Sequence, residues 1–169
     1  MKGLRFAILT ISDRSSRGER PDASGPALVD FIESRDGIIK YQNVIPDDMQ
    51  RIQAELITLS DNSDIDIILT TGGTGVSKRD VTPEATLEIA ERLIPGINEY
   101  IRAKSIQITS HAMLSRGIAA IRKQSIIINL PGSPKGAVES LEFIENILPH
   151  AVAQLRDLSS AQNHKPHVQ

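Results

Sequence analysis

Four short aliphatic runs punctuate the chain, and each stops at polar or glycine-rich residues. Residues 4–11 end at Ser12-Asp13, residues 37–45 at Pro46-Asp47-Asp48, residues 65–71 at Gly72-Gly73-Thr74-Gly75, and residues 125–130 at Pro131-Gly132-Ser133-Pro134-Lys135. Runs this short and this rich in β-branched residues favour strand over helix, and their near-continuous apolar character marks strands covered on both faces. The intervening segments carry helical spacing. Pro26 stands at a first helical position ahead of Leu28, Val29, Phe31 and Ile32, and Ile52, Leu56 and Ile57 recur after Asp48. Thr82-Pro83-Glu84 combines a hydroxyl cap, proline in the first turn and an acid. The helix it opens is carried by Leu87, Ile89, Ala90 and Leu93 and stopped by Pro95-Gly96. Another helix is predicted over 97–108, then a loop over 114–117 ahead of an apolar segment at 118–121. Helical spacing returns over 136–158, kinked or split at Pro149. Strands alternating with helices imply right-handed βαβ crossovers and a doubly wound, mostly parallel sheet. Ligands of such sheets bind at the carboxyl ends of strands, so the four polar segments should converge on one cleft.

Length sets the scale of this fold. With 169 residues, 40% hydrophobic and 24% charged, the chain suits one domain, here residues 1–158, followed by a polar tail over 159–169. A net charge of −2 argues against coating nucleic acid by bulk charge, and only five aromatic side chains, none of them Trp, leave little for a base-stacking surface. No cysteine is present, which excludes disulfides, thiolate metal sites and a cysteine nucleophile. No apolar run approaches a membrane span and the N-terminus lacks a signal-peptide pattern, so a cytoplasmic protein with no membrane partner is expected.

The strand-end segments point to anion chemistry. Glycines at 72, 73 and 75 allow close backbone approach to an anionic oxygen, and Lys78, Arg79 and a helix start follow directly. Neither a Walker A loop nor the dinucleotide fingerprint is present, since no Gly-Lys-Ser/Thr follows and Lys78 occupies the third glycine position counted from Gly73. Asp48 reads as a helix cap. Asp47 and Asp80 read either as turn residues or as Mg²⁺ ligands, because magnesium is held by one or two carboxylates together with substrate phosphates. In the last loop Ser133 can cap a helix and Lys135 can meet an anion, or the segment is a plain turn; Ser115-Arg116 can bind phosphate or cap the next element. His111, His150, His164 and His167 have no partners at metal-ligand spacing.

Longer motifs carry a resemblance. Thr70-Thr71-Gly72-Gly73-Thr74-Gly75, Arg79-Asp80-Val81-Thr82-Pro83-Glu84-Ala85-Thr86 and Asn129-Leu130-Pro131-Gly132-Ser133-Pro134-Lys135 resemble the molybdopterin-binding family, specifically the MogA/MoaB-type molybdopterin adenylyltransferases. Thr10-Ile11-Ser12-Asp13-Arg14, Ser24-Gly25-Pro26, Ile45-Pro46-Asp47, Lys104-Ser105-Ile106 and Ala112-Met113-Leu114-Ser115-Arg116 extend the likeness over residues 4–158. The resemblance implies a three-layer α/β domain that transfers AMP from ATP, with Mg²⁺, to the terminal phosphate of molybdopterin and releases pyrophosphate. It implies a homotrimer or larger assembly and a molybdate-inserting partner. Asp47 and Asp80 match the catalytic and magnesium positions. Gly72, Gly73, Thr74 and Gly75 match the nucleotide and phosphate segment, and Ser12, Asp13, Ser24, Ser105, Ser115, Arg116, Pro131, Gly132 and Ser133 match positions lining the cleft. The alternative under the same resemblance is a catalytically silent molybdopterin-binding or assembly module. A hydrolase of nucleotide-linked pyrophosphates would need further acids that the sequence does not offer.

Overall fold

The aliphatic runs form the centre of a six-stranded sheet in a computed structural model that describes residues 1–156. The strands are β1 (Arg5–Ile11), β2 (Ile38–Ile45), β3 (Ile67–Thr71), β4 (Arg92–Leu93), β5 (Ala119–Arg122) and β6 (Ser125–Leu130). Their order is β2-β1-β3-β6-β5-β4; the first four run parallel, and β5 and β4 are antiparallel additions. Among the described residues the helices are α1 (Asp13–Ser16), α2 (Ser24–Glu33), α3 (Met49–Ser60), α4 (Thr82–Ile89), α5 (Pro95–Ile106), α6 (Pro134–Ile144) and α7 (Leu148–Leu155), with a 3₁₀ turn at Ser110–Leu114.

Alternating side chains divide the strands between two cores. Phe6, Ile8, Ile67, Leu69, Ile126 and Ile128 face α2, α5, α6 and α7, where Leu28, Ile101, Leu141 and Leu148 meet them. Ala7, Leu9, Ile68 and Ile127 face α3 and α4, where Ile52, Leu56 and Ala85 close the other core. The result is the expected three-layer α/β fold. Burying a large aliphatic side chain contributes roughly 1.5–3 kcal/mol. A one-residue slip would exchange the cores' side chains along a whole strand, so register is strongly specified.

Several local expectations change. Leu93 does not extend α4, which ends at Ile89; it lies in β4, where Glu91 N–H donates to Ile121 O at 2.9 Å and Ile94 N–H to Ala119 O at 2.8 Å. Pro95 opens α5 rather than closing a helix, consistent with its preset φ and with the extended backbone favoured before proline. The segment at 118–121 forms most of β5, and Pro149 sits in the first turn of α7, splitting the predicted 136–158 helix in two. The last two residues of that span, and the 159–169 tail with His164 and His167, lie outside the described residues. No helix among the described residues is long and apolar enough to cross a membrane.

The edge of the sheet opposite the candidate site is tied by charge. The buried Asp66 accepts two bonds from the Arg5 guanidinium and one from the Arg5 N–H, and Arg156 approaches at 2.8 Å. Burial works against the carboxylate, but these donors outweigh it and hold its pKa below the usual value. Asp66→Asn should therefore cost about 2–4 kcal/mol at neutral pH, because two partly buried cations lose their counter-charge. The depressed folded pKa places this stabilisation above the unfolded carboxylate value of about 3.9 and removes it as pH falls through the folded value. Denaturant unfolding of both proteins should thus show a gap that narrows in acid.

Candidate active site

Every parallel strand delivers its polar segment to the same edge of the sheet. After β1, Ser12 caps α1 by accepting the Ser15 N–H at 3.2 Å, while its own N–H donates to Ile45 O at 2.9 Å. After β2, Asp47 and Asp13 exchange bonds: Asp13 N–H donates to Asp47 Oδ2 at 2.8 Å and Asp47 N–H to Asp13 Oδ1 at 3.2 Å. Asp48 caps α3 by accepting the Arg51 N–H at 2.8 Å, as expected.

The glycine loop after β3 requires its glycines. Gly72 has φ +103° and Gly73 φ +62°, and a Cβ at Gly72 would overlap the carbonyl oxygen of Ile11. At Gly73 a Cβ would strike Thr82 Oγ1 and approach Asp47 Oδ1 to 3.0 Å. Here the predicted role of Thr82 changes. Its hydroxyl does not cap α4 but donates to Gly72 O at 3.0 Å, while its N–H donates to Gly73 O at 3.1 Å. The helix start thereby anchors the glycine loop. The loop after β6 packs alongside: Ser24 Oγ donates to Gly132 O at 2.8 Å, Thr71 Oγ1 donates to Pro131 O at 2.7 Å, and Ser133 caps α6 through the Gly136 N–H.

Two adjoining hollows result. One, of about 610 Å³, is lined by Ser12, Arg20, Asp22, Ser24, Asp47 and Gly72 among others. The other, of about 420 Å³, is lined by Thr74, Gly75, Ser105, His111, Ser115 and Pro131 together with the apolar Ile101, Ile108 and Leu114. Gly73, Asp80, Gly132 and Ser133 belong to both walls. The strand ends therefore converge as expected, on a double cleft. Asp13 and Arg116 line neither hollow. Asp13 is engaged in a bidentate pair with Arg79 at 2.8–3.0 Å, and the partly exposed Arg116 guanidinium donates to the Gly75 and Asp80 carbonyls. The exposed Lys135 lines neither hollow and approaches Glu139, in the wall of the smaller one, at 3.7 Å.

Charge is unevenly distributed here. Burial pushes the Asp47 carboxyl above its ordinary pKa; the Asp13 N–H pulls it back, while the Asp13 and Asp80 carboxylates raise it further. For Asp13 burial also opposes ionisation, but the Arg79 guanidinium and the Asp47 N–H prevail and lower its pKa. Asp80 Oδ2 accepts the Ser77 N–H at 3.3 Å. A cation bound between Asp47 and Asp80 would relieve the repulsion that helps to raise the Asp47 pKa. No group of three or more His, Cys, Asp or Glu side chains forms a metal cage among the described residues. Two carboxylates without a third fit a magnesium ion that takes its remaining ligands from substrate phosphates and water.

Sequence reasoning did not single out Asp22 or Arg20. Asp22 accepts the Ser24 and Gly25 N–H groups at 3.0 and 3.1 Å and the Thr10 hydroxyl at 2.8 Å, fixing the start of α2. An acid shortly before Ser24-Gly25-Pro26 is a readable helix-start signal. Arg20 has no such local signature.

Comparison with known proteins places these features in context. A family model described as a probable molybdopterin binding domain matches residues 7–150. The molybdopterin adenylyltransferase of Escherichia coli K12 is 40% identical over 158 residues, covering 90% of this chain and 81% of that protein. The molybdenum cofactor synthesis protein cinnamon of Drosophila melanogaster is 42% identical over 158 residues, 93% of this chain but only 26% of the longer relative. The crystal structure of the molybdopterin biosynthesis enzyme MoaB from Thermus thermophilus superposes with a TM-score of 0.86 at 42% identity, covering 91% of this chain and 97% of that one.

Proposed function

The chain belongs to the molybdopterin-binding domain family, and from that membership we propose that it acts in molybdenum cofactor biosynthesis as a molybdopterin adenylyltransferase. The observation that carries this reading is the wall of Gly73, Asp80, Gly132 and Ser133 common to two hollows. Two anionic ligands seated side by side would bring their phosphates together there.

The reaction joins the terminal phosphate of molybdopterin to the α-phosphorus of ATP. A phosphate oxygen attacks, the bond from the α-phosphorus to the bridging β-oxygen breaks, and pyrophosphate leaves with those electrons. No general base is needed, because the nucleophile is already ionised at neutral pH. Catalysis then lies in alignment and charge stabilisation. Asp47 and Asp80 would hold the magnesium ion, which supplies charge neutralisation for the clustered phosphates. The glycine loop brings backbone close to the phosphates, and Arg20 in the wall of the larger hollow supplies positive charge. Ser12, Ser24, Ser105 and Ser115 offer hydroxyls that can orient the two substrates.

The reading includes a homotrimer, supported by exposed apolar side chains at Leu93 on β4, Tyr100 on α5 and Met113 in the adjoining 3₁₀ turn. It also includes a cytoplasmic site of action, where ATP is available, and a molybdate-inserting partner as recipient of the product. Purified protein incubated with molybdopterin, ATP and Mg²⁺ should release pyrophosphate only when all three are present. Tight molybdopterin binding without pyrophosphate release would instead identify a silent binding module.

A further inference from the structure

Arg116 lies outside both hollows, yet all three of its guanidinium nitrogens are bonded beside them. Its Nε donates to Gly75 O and its Nη2 to Asp80 O, each at 2.6 Å, while Nη1 pairs with Glu84 on α4. Its backbone N–H donates to Thr74 O at 2.9 Å. Gly75 and Asp80 are the two ends of an exposed hairpin whose tip carries Val76, Ser77, Lys78 and Arg79. One guanidinium therefore clasps both ends of the segment that delivers Asp80 to the shared wall. Inside the hairpin the ties are local: Asp80 N–H donates to Ser77 O at 3.0 Å, Asp80 Oδ2 accepts the Ser77 N–H at 3.3 Å and Ser77 Oγ accepts the Arg79 N–H at 3.2 Å, while the tip is held from outside by the pair between exposed Arg79 and Asp13. Glu84 in turn has one carboxylate oxygen on Arg116 and the other buried without a protein partner, so in the described structure its hydrogen bonding is devoted to the arginine.

We propose that Arg116 is a positioning residue for the transfer reaction: it binds no substrate phosphate but fixes Asp80 by clasping Gly75 and Asp80, with Glu84 holding the guanidinium in place. This rests on the assignment of Asp80 to the reaction. The task suits arginine and not lysine. Two carbonyls and a carboxylate in different directions match the fixed fork of a guanidinium, whereas an ammonium on a flexible stem cannot satisfy the same three acceptors in that plane. A misplacement of about 1 Å at a reacting group can cost on the order of 100-fold in rate.

Two variants and two readouts test the clasp. Arg116→Lys is expected to lower kcat by about 100-fold with KM for ATP changed less than about twofold, the signature of lost transition-state alignment and not of lost ground-state binding. Glu84→Ala, a half-exposed helix-surface change that leaves the arginine present, should move kcat in the same direction by about 10-fold. Tryptic cleavage after Lys78 and Arg79, followed by fragment mass, reports hairpin order without using activity. Both variants should be cut faster there than wild type while unfolding at similar denaturant concentrations. In an Asp80→Asn background, Arg116→Lys should add no further loss of kcat, since both changes act on one group. Wild-type cleavage rates in both variants would overturn the proposal, as would a raised KM for ATP with kcat intact or a fully additive loss in the double variant. Full activity of Asp80→Asn alone would refute the role of Asp80 and with it the catalytic part of the proposal, while the cleavage rates would still report whether the clasp exists.

Discussion

Asp80→Asn is expected to lower adenylyl transfer by at least about 10²–10³-fold while leaving molybdopterin binding nearly intact. The substitution keeps the size of the side chain and an oxygen able to accept the Ser77 N–H, so the hairpin at 75–80 retains its local bonding. What disappears is one of the two carboxylates available to a magnesium ion at the wall shared by the hollows. Removal of one well-placed electrostatic contact to a transition state costs about 10²–10³ in rate, so pyrophosphate release should fall by at least that much. Binding of molybdopterin relies on many contacts within its hollow and should change little, which equilibrium titration would measure. The variant also has a pH consequence. The Asp80 charge is one cause of the raised pKa at Asp47, so its removal lowers that pKa and moves the acid limb of any residual activity to lower pH. Equal loss of binding and transfer in a folded Asp80→Asn protein would count against its role as a metal-holding group.

Gly72→Ala should be the most damaging single-methyl change in the site. At φ +103° an L-residue is strained whatever its neighbours, and here the added Cβ would also overlap Ile11 O, a backbone atom of β1 that cannot swing aside. The loop is pinned on its other side too, with Gly72 N–H donating to Leu130 O at 3.3 Å and Gly72 O accepting the Thr82 hydroxyl. A loss of about 3 kcal/mol follows, corresponding to a fall in Tm of roughly 6–12 °C for a domain of this size. Gly96→Ala provides the contrast. Nothing lies within 4 Å of a Cβ at Gly96, in the first turn of α5, and alanine there should be neutral or stabilising by up to about 1 kcal/mol. Calorimetry of the two variants separates a backbone requirement from a general sensitivity of glycines.

The parts of this fold that sequence revealed are those encoded within a few neighbouring residues. β1, β3 and β6 were legible because each is an aliphatic run closed by a polar stop, and the caps at Asp48 and Ser133 because capping is a local exchange across three residues. The convergence of strand ends was legible from topology alone. What stayed hidden depends on distant partners. Leu93 resembles a continuation of α4 until β5, more than 25 residues later, offers its backbone for pairing. Thr82 looks like a cap, but its hydroxyl finds Gly72 O nearer to hand. Asp13 looked like a wall of the cleft and is instead bound to Arg79, 66 residues away. Arg116 reads in the sequence as a phosphate contact or as part of a cap, and only the folded chain shows its donors spent on Gly75, Asp80 and Glu84. The scarcity of aromatic rings argues against a stacked mode of recognition without excluding a nucleotide, the ligand proposed for the glycine loop and the two carboxylates.

Positional labelling of ATP tests the central claim most directly. With [α-³²P]ATP, Mg²⁺ and molybdopterin, label should appear on the pterin product in proportion to pyrophosphate released. With [γ-³²P]ATP all label should leave as pyrophosphate. Label from the γ position on the pterin, or no labelled product with molybdopterin shown to be intact, would contradict attack at the α-phosphorus in this cleft.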